Sequence, residues 1–135
     1  DKFYITKQYR PGMAVNKSKV EKKLADVNQQ ITALQNNVNQ EINTLNNQIA
    51  NKVFYVNKLS GKIEALDVDD FSDLGYTAEE KDELLETHKA NVETAQQEIQ
   101  TLQQQVESLR SQGVANAQSL IGKKELYEEL LDITD

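Results

Sequence analysis

The sequence predicts an all-α fold: a long antiparallel two-helix coiled-coil hairpin, with an extended N-terminal arm and a short amphipathic C-terminal helix. Three observations predict it. Apolar residues recur at gaps of three and four over two long stretches, as a heptad seam requires. Five Gly and one Pro leave little punctuation, so the elements are long. A hydrophobic content of 38% without Trp is thin for a globule, and suits a core that uses two positions in seven.

The arm, residues 1–15, holds Phe3, Tyr4, Ile5, Tyr9, Met13 and the single Pro, and reads as extended, strand-like at "KFYIT". The hairpin occupies residues 16–124. Its first helix is expected over 18–66, opened by a capping box at Ser18–Glu21. The seam of this helix runs from Val20 through Leu24, Val27, Ile31 and onward to Val53, Val56, Leu59, Ile63 and Leu66. The Asp-rich stretch 67–77 reads as a loop. "TAEE" at Thr77–Glu80 is a second capping box, and a second helix follows over 78–124. Its seam includes Leu85, His88, Val92, Ala95, Ile99, Leu102, Val106, Leu109, Gly113, Ala117 and Leu120. Gly113 and Gly122 are the places where it would break. Residues 125–135 form an amphipathic tail with Leu126, Tyr127, Leu130 and Leu131.

Antiparallel pairing makes facing residues carry numbers with a constant total. Leu59 with Leu85, Ile49 with Ala95, Val38 with Val106 and Ile31 with Gly113 all total 144. This register sets small residues against large ones, which lets facing layers interdigitate. It also sets Met13 against Leu131 and brings arm and tail to the same end, opposite the loop.

Little in the sequence carries chemistry. The Asp-rich loop fails as an EF-hand: with Asp67 at position 1, Ser72 replaces the Gly at 6 and Ala78 the Glu at 12. His88 is the sole His and Cys is absent, so no metal set of those ligands can form. His88 reads as a polar seam residue that fixes register. No nucleophile motif or phosphate loop is present, and no cofactor, small-molecule substrate or enzymatic activity is expected. No apolar run reaches membrane-spanning length. The net charge of −7 divides into +5 over residues 1–66 and −12 over residues 67–135. Lys17, Lys19, Lys22 and Lys23 form the basic cluster, but the acidic second helix lies alongside, so nucleic-acid binding is not expected.

The expected partners are therefore proteins, as a homo-oligomer or a multisubunit assembly. The residues expected to meet them are Phe3, Tyr4, Ile5, Tyr9 and Met13 of the arm, Phe54 and Tyr55 of "NKVFYVNKL", and Leu126, Tyr127, Leu130 and Leu131 of the tail. Phe54 and Tyr55 cannot both face one partner helix together with Val53 and Val56; they either widen the core over Ala95 or contact another subunit. The function expected is that of a structural or assembly protein, a rigid hairpin that spaces or docks subunits, with a virion or cell envelope as setting by analogy alone. The alternatives are a client-binding adaptor or chaperone hairpin, and the excised coiled-coil arm of an enzyme. The amide-rich surface of "ITALQNNVNQEINTLNNQIA" gives hydrogen bonding without long-range repulsion and suits rods packed side by side; AT-rich codon usage produces the same composition.

Overall fold

The computed structural model describes residues 15–69 and 71–133. The arm lies outside these residues apart from Val15, and so do the strand expected at "KFYIT" and the last two residues of the tail. Two long helices, α1 (Lys17–Val68) and α2 (Ala78–Ile133), pack against each other as an antiparallel hairpin, joined by a 3-10 turn at Ser72–Leu74.

The start of α1 corrects the capping expectation. Asn16 caps it: the Lys19 amide donates to Asn16 Oδ1 over 3.1 Å, and the Val20 amide to the Asn16 carbonyl over 3.1 Å. Ser18 lies inside the first turn. Asn ranks with Ser as a cap, and here its side chain meets the orphan amide first. The second capping box forms as expected. The Glu80 amide donates to Thr77 Oγ1 over 3.1 Å, and the Thr77 amide to Glu80 Oε1 over 3.4 Å. Glu79 and Glu80 place negative charge in the first turn of α2, where the helix dipole favours it.

α2 continues without interruption through Gly113 and Gly122. Neither glycine takes a positive φ, which a left-handed helix stop would need. The expected tail is helical, but it is the last turns of α2 and not a separate helix.

Two compact units divide the hairpin. One joins α1 up to Gln40 with α2 from Leu109 onward; the other is Glu41–Ser108, with the connection. In the first, Val20 and Val27 are buried, and Leu24, Ile31, Leu34, Val38, Gly113, Ala117 and Leu120 are half-buried. In the second, Ile42, Leu59, Leu66, Ala95 and Val106 are buried, with Leu45, Ile49, Val56, Ile63, Val92, Ile99 and Leu102 half-buried around them. The predicted seam is the observed one at every position of both helices except Val53, which is exposed.

The register differs from the expected one by a heptad. Gly113 meets Val38, 3.3 Å from an ideal Cβ to Cγ2, and not Ile31. Within the second unit Lys52 pairs with Glu98, where the expected register sets it level with Val92. A heptad repeat is indifferent to a slide of seven residues, because seam still faces seam. The connection decides. The Lys81 ammonium donates to the Asp69 carbonyl over 3.1 Å, so the end of α1 is held against the first turns of α2. In this register Val56 lies level with Ala95 and Leu45 with Val106, while Val20 takes the level of Leu131.

Candidate functional site

Lys52 explains why Val53 leaves the seam. Between Ile49 and Val56 the seam passes through Lys52, which is half-buried and whose ammonium pairs with the Glu98 carboxylate. A lysine can hold a seam position by laying its methylenes along the core and carrying its charge outward. With Lys52 inside, Val53, Phe54 and Tyr55 turn out; their exposures are 41%, 67% and 43%. The core does not widen over Ala95 to take them in. Lys58, one turn on, sets its ammonium 5.7 Å from the centroid of the Phe54 ring, a cation–π contact that leaves most of the ring in solvent.

The tail is divided by the same logic. Tyr127, Leu130 and Leu131 are half-buried in the first unit, while Leu126 is exposed. Val114 and Ile121 are also exposed. Each follows a seam residue directly, Gly113 and Leu120, and adjacent helix positions cannot both face one partner. That adjacency was the signal by which the sequence could have marked them. Phe3, Tyr4, Ile5, Tyr9 and Met13 lie outside the described residues.

The connection is a built turn. The amides of Leu74 and Tyr76 both donate to the Phe71 carbonyl, over 3.0 and 3.4 Å. Gly75 takes a φ of 84°, a conformation L side chains rarely adopt. The Phe71 and Tyr76 rings meet edge to face at 6.5 Å, and the Lys81 ammonium stands 5.9 Å from the Phe71 ring centroid. α1 has no basic residue in its last turn, so Lys81 supplies from α2 the cation that its terminal carbonyls favour. Val68 and Leu74 remain outside this packing, 75% and 70% exposed, with Tyr76 at 46%.

His88 sits half-buried in the seam of the second unit, and its Nδ1 is enclosed without a hydrogen-bond partner. No group of three or more His, Cys, Asp or Glu placed to hold a metal occurs among the described residues. The surface depressions lined by Asn28, Thr32 and Asn36 in the first unit, and by Lys52, Thr94, Glu98 and Thr101 in the second, are shallow and open. No described helix is long and apolar enough to cross a membrane.

Fold and surface together define an antiparallel helical hairpin with apolar side chains turned outward at a few discrete places. No known protein family, curated protein or solved structure matches the chain.

Proposed function

We propose that this chain is a non-enzymatic structural or assembly protein, a coiled-coil hairpin that docks to copies of itself or to other subunits of a larger complex. The observation that carries the reading is the outward triplet Val53–Phe54–Tyr55. The three fan out over about 200° of the helix, with Phe54 the most exposed at their centre, and large apolar side chains clustered in this way are unfavourable in water unless something covers them. Aromatic side chains of this kind supply much of the energy of protein interfaces. A virion or cell envelope remains the setting by analogy.

Sedimentation equilibrium of the chain and of a Phe54→Ser, Tyr55→Ser variant tests the proposal. The expected result is a defined oligomer for the parent and a lower mass for the variant, with equal helix content by circular dichroism. A monomeric parent, or an oligomer that the double substitution leaves intact, overturns docking between copies of this chain through the triplet.

A further inference from the structure

We propose that the connection between α1 and α2 is a second docking surface, whose partner is a basic amphipathic protein segment that presents an apolar side chain between lysines or arginines. Two independent features of the turn point there.

The first is surplus apolar surface on a pre-organised support. Turns are ordinarily closed with polar residues and glycine. This one closes on Phe71, which Tyr76 and Lys81 cover, and on the Thr77–Glu80 capping box. Val68 and Leu74 take no part in that closure, yet they are the two most exposed large apolar side chains among the described residues. Because the turn is already fixed by its own hydrogen bonds, a partner meets little ordering cost on binding.

The second is charge. Between Asp67 and Glu86 the sequence carries nine carboxylates and one cation, Lys81. That cation is engaged by the Asp69 carbonyl and the Phe71 ring. Residues 67–86, which include Val68 and Leu74, therefore carry a net charge of −8 (nine carboxylates less one lysine). This charge draws in a basic partner and repels an acidic one, while the apolar contact selects among basic partners. The surface differs from the Val53–Tyr55 triplet in position and chemistry, and it does not depend on the chain's oligomeric state.

Two synthetic peptides of equal charge test the proposal: one of alternating Lys and Leu blocks, the other with every Leu replaced by Ser. Binding is followed by amide chemical shifts and by calorimetry on the full chain. The Leu peptide is expected to bind at least about tenfold more tightly and to shift the amides of Val68, Leu74 and Tyr76. A Val68→Ser, Leu74→Ser variant should erase that advantage and keep the parent's melting temperature, since both side chains are exposed. Asp73→Lys should weaken both peptides. Equal binding of the two peptides overturns the proposal, as does an advantage that survives the double substitution. Shifts centred on Phe54, or a preference for phosphatidylglycerol vesicles over the Leu peptide, overturn it too.

Discussion

Val38 packs directly on the backbone of Gly113: a Cβ added to that glycine would stand 3.3 Å from Cγ2 and 3.5 Å from Cγ1. α2 comes close to α1 at that level because Gly113 has no side chain. Gly113→Ala sets a helix-propensity gain of about 1 kcal/mol against the crowding of a half-buried valine that must shift by a few tenths of an ångström to admit the methyl. The expected outcome is a slight net stabilisation. Gly113→Leu should instead destabilise by about 1–3 kcal/mol through overpacking. Nothing lies within 4 Å of a Cβ at Gly61 or Gly122, so Ala at either should show the propensity gain undiminished. Thermal melting of the four variants checks the order.

Gly75→Ala should go the other way. Its φ of 84° is unfavourable for any residue with a Cβ, although space around it is open. A loss of about 1 kcal/mol or more is expected, read as a lower midpoint in urea. No change in midpoint would mean that the turn relaxes to another conformation.

Register can be decided by cysteine pairs. Val56→Cys with Ala95→Cys should form an intrachain disulfide under mild oxidation. Ile49→Cys with Ala95→Cys should not, since a slide of one heptad moves the two Cα atoms about two helix turns apart, beyond disulfide reach. The opposite pattern on a non-reducing gel would restore the pairing of Ile49 with Ala95.

Caps give a paired test at the start of α1. Asn16→Ala should destabilise by about 1 kcal/mol. Ser18→Ala, inside the first turn, should be close to neutral. Equal losses would show that both side chains share the cap.

His88→Leu is expected to stabilise the hairpin by about 1 kcal/mol, because it removes an enclosed nitrogen that has no partner. If His88 also holds the register, the variant should give a less uniform amide spectrum even as its melting temperature rises.

Much of this fold is legible in the sequence, because a seam written at gaps of three and four has one satisfactory solution when two such seams are joined by a short connection. The Thr77–Glu80 capping box was legible for the same reason: its hydrogen bonds are local. What the pattern could not encode is the slide between the helices. Every heptad sets seam against seam, and only in the observed register is Lys81 of α2 placed to reach a carbonyl just beyond the end of α1. Apolar character alone assigns the seam position to Val53, whereas Lys52 holds it through its stem and its pairing with Glu98. Phe54 and Tyr55 stood out because four apolar residues in a row exceed what one face can bury. The exposure of Val68 was hidden, since it depends on α1 continuing past Leu66.

The Lys81 contact also orders events in time. It joins residues 12 apart in sequence, whereas the Lys52–Glu98 pair joins residues 46 apart. Closing the shorter loop loses less chain entropy, so the two helices are expected to meet first at the turn and to zip together from it. The register is then chosen once, at the tip, before any distant heptad can compete, and the repetitive seam inherits it. On this account Thr77→Ala slows folding, while Gly113→Leu chiefly speeds unfolding; stopped-flow rates that reversed this assignment would place nucleation elsewhere.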